Sequence, residues 1–467
     1  MEDPMEVRMG ITEYLAELPE IERFCTVDEL HDSVERLARE RPDVCRIRRV
    51  GSSRLGEPLR LLSVGHGPRN ALIVGGPHPN EPIGLLTVRH LARLVADHEE
   101  LRSGFTWHFL PCVDPDGARL NEGWFAGPYT IRHYHSRLYR PAFADQPEWT
   151  FPVLDERAYF DRTLPETQAL ARVIDELRPD FQYSLHNADF GGVFYVLSDP
   201  VPGLAEDLAE IAASQGVPLS LGPVDTLGWP EAGPAVYLMP PAEEILAAHA
   251  RNGGEPRGGG SSTHYAKRHG TTTLITDAPL WYDPRADDTS PAGQAYAAVL
   301  RAAAGRLRED ADVLGEVYDS VLPHLVVPTP FRAAVADSLA TGRAFADADD
   351  AMAATVEGRE ATVAEQFSAG SVPHMLRLRG AGLLRRQLAA ETAAGNVSPP
   401  LRAAARRADA LFDDWCAQAE QELRAEPFGL RRLVALQLGA ALSTVARLTS
   451  ERPITSERLT SDKERGR

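Results

Sequence analysis

The sequence predicts an α/β fold, a mixed and mostly parallel sheet flanked by helices, followed by an all-helical C-terminal region. Three observations carry that expectation. Short β-rich runs bounded by Gly, Pro or Asn alternate with helical patterns through about the first 300 residues, the signature of strands linked by crossover helices. From about Ser290 onward the strand-like runs cease and Ala-, Leu- and Arg-rich helical segments take over. The length of 467 residues, with 43 % hydrophobic and 25 % charged side chains, suits two or three ordinary water-soluble units with at least one large core.

The elements follow in order. Across Thr26–Arg41, Leu30, Val34 and Leu37 recur at helical spacing, and Asp28 lies near the start where the helix dipole favours an anion. Leu61–Val64, Ala71–Val74, Trp107–Val113, Phe181–Leu185 and Thr272–Thr276 read as strands, with helices such as Gly84–Asp97 and Pro165–Leu177 between them. Gly253–Ser262 is too rich in Gly for an element interior and is expected to be a loop. Helices are expected over Gln294–Asp319, Pro373–Ala394 and Pro400–Glu426, and a charged, frayed tail over Glu451–Arg467. The implied division is 1–305 as the α/β catalytic part, 306–450 as a helical domain and 451–467 as a disordered tail.

Charge narrows the function classes. The net charge is −18, and from Arg306 onward there are 21 basic and 23 acidic side chains, so nearly all the excess acid lies in the α/β part. Such a chain is a poor match to nucleic acid or an anionic membrane. The start, Met1-Glu-Asp-Pro-Met-Glu, lacks the order of a secretory signal, and no run of 18 apolar residues occurs, so a cytoplasmic protein is expected. Cys25, Cys45, Cys112 and Cys416 are widely spaced with no CxxC pair, which favours free buried thiols over a disulfide framework or a thiolate metal site.

The densest chemistry sits in Gly75-Gly-Pro-His78-Pro-Asn80-Glu81-Pro-Ile-Gly84, directly after a strand. A tight turn there brings the imidazole of His78 and the carboxylate of Glu81 together, although His-x-x-acid spacing alone arises about twice by chance in a chain of this composition. Context strengthens it. His186 closes the run Phe181-Gln-Tyr-Ser-Leu-His, and Asp277 closes Thr272-Thr-Leu-Ile-Thr. In an open α/β sheet, ligands collect outside the carboxyl ends of the strands, where all four residues fall. Two histidines and a carboxylate are the protein ligands of a catalytic zinc. The plainer alternatives are polar residues at loop starts and, for Asp277 before Ala-Pro, an Asx-turn.

From about Val27 to Gly305 the chain resembles the zinc carboxypeptidase family. The resemblance is carried by Val50-Gly-Ser-Ser-Arg-Leu-Gly-Glu, the His78 block, Val113-Asp-Pro-Asp-Gly, Ser184-Leu-His-Asn, Gly259-Gly-Ser-Ser-Thr-His-Tyr-Ala and Gly270-Thr-Thr-Thr-Leu-Ile-Thr-Asp-Ala-Pro. It implies an eight-stranded-type sheet, one zinc per chain on His78, Glu81 and His186, and a water-activating acid at Asp277, where the family carries a longer glutamate. Ser136-Arg-Leu-Tyr-Arg140 looks like the family's Arg-Leu-Trp-Arg segment, which implies that Arg140 steadies the oxyanion. The family's Asn-Arg pair for a substrate carboxylate falls at Glu148 and Trp149, so a cationic, amidated or otherwise modified substrate end is expected, with Arg132 or Arg137 as candidates to replace the missing cation. The position that tunes side-chain preference in the family falls near Ser262-Thr263-His264, where no strong charge or large apolar group stands, and Tyr265 and Tyr237 are candidate donors to the leaving group.

The expectation is a zinc-dependent hydrolase of a peptide or amide bond in a small or modified peptide. The alternatives are an N-acyl amino acid deacylase or amidase acting on a biosynthetic intermediate, and a catalytically impaired metal-binding scaffold. Apolar residues at helical spacing in the C-terminal region give it a structural role, as a cap over the site or a homodimer surface.

Overall fold

The computed structural model describes residues 4–155, 158–223, 226–251 and 258–451. Ten strands form the main sheet: β1 (Cys45–Ser52), β2 (Pro58–Val64), β3 (Arg69–Val74), β4 (Phe105–Leu110), β5 (Phe181–Gly191), β6 (Phe194–Leu197), β7 (Glu231–Gly233), β8 (Val236–Leu238), β9 (Thr272–Tyr282) and β10 (Glu426–Pro427). Their order is β1-β2-β4-β3-β5-β9-β6-β8-β7, with the short β10 added against the end of β9. The middle run β4-β3-β5-β9 is parallel, and β1, β2, β6, β7 and β10 make antiparallel pairings around it. The sheet is thus mixed with a parallel centre, as expected, and has ten strands where the resemblance implied an eight-stranded type.

Central strands must bury both faces, so Ala71 to Val74 in β3 and Phe181 to Asn187 in β5 are all buried. Helices α1 (Pro4–Ala16), α2 (Val27–Glu40), α3 (Ile83–Asp97), α4 (Pro165–Leu177) and α5 (Leu204–Ser214) accompany them. In α2 a capping box of Thr26 and Glu29 fixes the start, and Val27, Leu30, Val34 and Leu37 are buried.

The C-terminal region comprises α6 (Tyr296–Val321), α7 (Pro330–Ala353), α8 (Val363–Ala393), α9 (Pro399–Glu422) and α10 (Leu430–Glu451). Helix α8 starts well before the expected Pro373, because Thr362 and Glu365 form a second capping box and Pro373 is accommodated inside the helix. Residue 305 lies within α6, so the expected division there falls in a continuous helix. Smaller apolar clusters lie within each part, but the largest one joins them. One apolar cluster runs from Ile11 and Leu15 through Ile73, Phe109 and Tyr183 to Leu384, Leu436 and Leu442. Helix α10 is long and apolar enough to cross a membrane by composition, yet most of it is buried inside the protein, packed against α3, α5 and β9. All four cysteines are free and buried. The expected tail lies outside the described residues from 452 onward, as do 253–257 of the Gly-rich loop.

Candidate metal centre and cavity

The turn after β3 is built by backbone contact. Gly75 donates to the Leu110 carbonyl at 2.9 Å and accepts from Val113 at 3.0 Å, and a Cβ on Gly75 would lie 2.3 Å from the Pro111 oxygen. Gly76 has φ +56°, in the left-handed region that glycine occupies without strain. The chain then tightens, with the Glu81 amide donating to the His78 carbonyl at 3.1 Å, and α3 begins at Ile83. Pro82 offers no side-chain cap, and Asn187 supplies one from the neighbouring strand: its Oδ1 accepts from the Ile83 amide at 3.0 Å. The same Asn187 donates from its backbone to Glu81 Oε2 at 3.2 Å. The residue after His186 therefore ties β5 to the His78 turn.

Ligand atoms of His78, Glu81 and His186 lie within 4.8 Å of one another, and all three residues are buried. His78 Nδ1 has no hydrogen-bond partner, an orphaned buried acceptor or donor that a bound cation would satisfy. His186 Nδ1 is 3.2 Å from Glu81 Oε2, and the two imidazoles meet edge to face at 4.9 Å between centroids. Burial, helped by the charge of Arg140, pushes the pKa of His78 well down and keeps it neutral. Burial opposes ionisation of Glu81, but His78, Arg140 and His186 together outweigh it and hold the carboxylate well below its usual range. Burial also opposes charging of His186, and the Glu81 hydrogen bond and charge overcome it, so its pKa is raised. A neutral imidazole and an ionised carboxylate are the forms in which these groups bind a metal; His78 and Glu81 are held in them, whereas His186, whose proton is favoured by Glu81, gives up that proton on binding. The donor set fits zinc.

Asp277 pairs in register with His186 across the parallel β5–β9 ladder, two residues beyond the level at which the neighbouring β3 ends and in the middle of both long strands, not at their ends as expected from the sequence. Both line a cavity of about 350 Å³, together with His78, Glu81, Arg140 and Trp149. Arg140 donates to Glu81 Oε1 at 2.5 Å and to Asn80 Oδ1 at 3.1 Å. Trp149 stacks on Phe143 at 5.5 Å and faces the His78 ring at 6.4 Å. The opposite wall comes from α7 and α8 through Ala334, Phe345, Phe367, Met375 and Arg379. Helices α7 and α8 of the C-terminal region thus line the same cavity as the candidate metal ligands.

Three sequence expectations require correction. Glu148 does not line the cavity; it is buried, and its Oε1 accepts from the backbone and hydroxyl of Ser262 at 3.1 and 2.8 Å. Burial, opposed by His186 and Ser262, raises its pKa to about 7, so it offers no strong anionic partner to a cationic substrate. Thr263 and Tyr265 are also absent from the cavity wall. Ser261 caps the short helix Ser262–Lys267, which buries Thr263 and sends the Tyr265 hydroxyl to Asp175 at 2.9 Å, under the Arg268 guanidinium. Finally, Arg132 pairs with Asp413, and neither it nor Arg137 lines the cavity.

Residues not singled out in the sequence complete the surroundings. Gln437 on α10 donates to the His186 carbonyl at 3.0 Å and accepts from Thr87 at 2.6 Å. Asp189, three residues beyond His186, accepts from the Tyr134 hydroxyl at 3.0 Å and faces Arg379 at 3.8 Å. The Ser-Leu-His-Asn run pointed to this strand end. Nothing local in the helical sequence marks Gln437 or Arg379.

Residues 30–194 match the family model described as zinc carboxypeptidase. This stretch is zinc carboxypeptidase-like. It holds His78, Glu81 and His186, whereas Asp277 and helices α7 and α8 lie beyond it. Among solved structures, the chain is 15 % identical to a putative metallopeptidase from Shewanella amazonensis, covering 54 % of this chain and 84 % of that one at a TM-score of 0.38. It is 13 % identical to carboxypeptidase A from Helicoverpa armigera, covering 76 % and 80 % at 0.37. A metallo-carboxypeptidase from Burkholderia cenocepacia is 14 % identical, with 70 % and 68 % covered at 0.33. These low scores add no argument to the zinc carboxypeptidase-like reading, which rests on the family match and the convergent side chains.

Proposed function

We propose that the protein hydrolyses a peptide or amide bond in a small substrate, using one zinc ion held by His78, Glu81 and His186. The observation that carries this reading is the convergence of those three buried side chains, one with an orphaned nitrogen, at the wall of a cavity that also contains Asp277. Zinc in that position supplies a Lewis acid for the scissile carbonyl and for water. Asp277 takes a proton from water and passes it to the leaving nitrogen, the task of a carboxylate beside the reacting bond. Arg140 orients Glu81 and presents a cation on the cavity wall where negative charge develops on the carbonyl oxygen.

A cavity of about 350 Å³ roofed by α7 and α8 favours a short substrate over a long chain. That observation also suits an N-acyl amino acid, whose amide would meet the same groups. Hydrolysis of a panel of dipeptides and N-acyl amino acids, with metal content measured on the same samples, tests the reading. Activity that tracks zinc supports it. A chain free of zinc, or one whose zinc survives His78→Ala and His186→Ala, contradicts it.

A further inference from the structure

The cavity wall contains two arginines among the described residues, and they differ in how far they are satisfied. Arg140 is committed to Glu81 and Asn80. Arg379, contributed by α8, is mostly buried, and its Nε has no hydrogen-bond partner. Its Nη2 lies 3.8 Å from Asp189 Oδ2, too far for a hydrogen bond, and that oxygen is itself without one. Asp189 meanwhile keeps the Tyr134 hydroxyl on Oδ1 and faces His135 Nε2 at 3.8 Å.

A guanidinium removed from water and left with an empty donor is costly, and a planar anion answers it with two parallel charge-assisted hydrogen bonds. Asp189 does not present that geometry. From this we infer that Arg379 is a specificity-determining residue that binds an anionic group of the substrate, a carboxylate at its end or on its side chain, within the cavity. The inference rests on the proposed role of the cavity as the substrate site. It also accounts for the helices on the cavity wall: the cation expected from the α/β part, where Glu148 and Trp149 stand instead, comes from the helical third of the chain. The aromatic groups Trp149, Phe190 and Phe345 lining the same cavity favour an anion attached to an apolar body.

Calorimetric binding to the full chain tests this with three probes: N-acetylphenylalanine, its neutral amide, and the α-amide of N-acetylglutamic acid, which is anionic only on its side chain. Each titration is repeated after chelation, so that direct coordination of a carboxylate to metal is separated from Arg379. The wild type is expected to prefer one anionic probe over the neutral amide by at least about tenfold, the scale of a single charge-assisted contact. Which anionic probe wins identifies the carboxylate's position. Arg379→Met should abolish the preference while leaving neutral-amide binding and the thermal midpoint near those of wild type, and Arg379→Lys should restore part of it. An absent preference in the chelated wild type, or one that survives Arg379→Met, overturns the inference. Because binding is read without turnover, a chain that lacks zinc yet shows an Arg379-dependent preference defeats only the zinc reading. Zinc-dependent hydrolysis without such a preference defeats only this inference.

Discussion

Asp277 shows how a residue's place in a ladder sets its chemistry. It is the direct partner of His186 across a parallel ladder, so its charge acts on that imidazole from the neighbouring strand, and it lines the cavity. Asp277→Asn keeps the shape and removes the base; turnover should fall by about 10²–10⁴-fold with metal content unchanged, measured by initial rates and metal analysis. Glu148 is the contrasting case. Glu148→Gln retains the acceptor for Ser262 and should leave the choice between acidic and amidated substrates unaltered, because the side chain does not reach the cavity. A third residue, Asp349 in α7, is 1 % exposed with an unpaired Oδ1, and burial together with Asp350 raises its pKa to about 7. The folded chain therefore holds this proton up to near neutrality, while the unfolded chain loses it near 4, so stability declines as pH rises between those values and stays reduced above them. Asp349→Asn removes that loss: urea midpoints should exceed wild type at pH 8, by an amount worth a few kcal/mol at most, and converge with it below pH 4.

At the scale of elements, the decisive contact joins the last helix to the strand that carries His186. Gln437 spans from Thr87 on α3 to the His186 carbonyl, in a region where α10 is otherwise apolar. Gln437→Leu leaves that carbonyl and the Thr87 hydroxyl without partners. It should cost about 1–3 kcal/mol in denaturant unfolding, and zinc competition assays should show weaker binding as His186 loses its support. The strands that position the site were legible because periodicity and bounding glycines are local signals: β3 and α4 emerge close to their expected bounds, and His78 and Glu81 follow the end of β3, whereas β5 and β9 run on to Gly191 and Tyr282, so His186 and Asp277 stand within their strands instead of closing them. Arg379 and Gln437 were not legible. Their roles depend on which face of α8 or α10 meets the sheet, a fact of tertiary packing that helical spacing does not encode. Tyr265 was misplaced for a related reason, since the Ser261 cap fixes the helix and turns the ring towards Asp175.

For the molecule as a whole, the helical third is part of the same core and of the same cavity. Leu384 of α8 and Leu436 and Leu442 of α10 join the apolar cluster that includes Ile73 and Phe109 of the sheet, and α7 and α8 wall the cavity opposite His78. The acidic α/β part and the nearly balanced helical part therefore act as one unit, in which one side supplies the candidate metal ligands and the other the enclosure. The claim on which this account depends is the metal centre. Zinc measured per chain in the purified full-length protein should be close to one, and should be lost in both His78→Ala and His186→Ala variants that keep the wild-type circular dichroism spectrum. Zinc retained at full stoichiometry in either folded variant would contradict it.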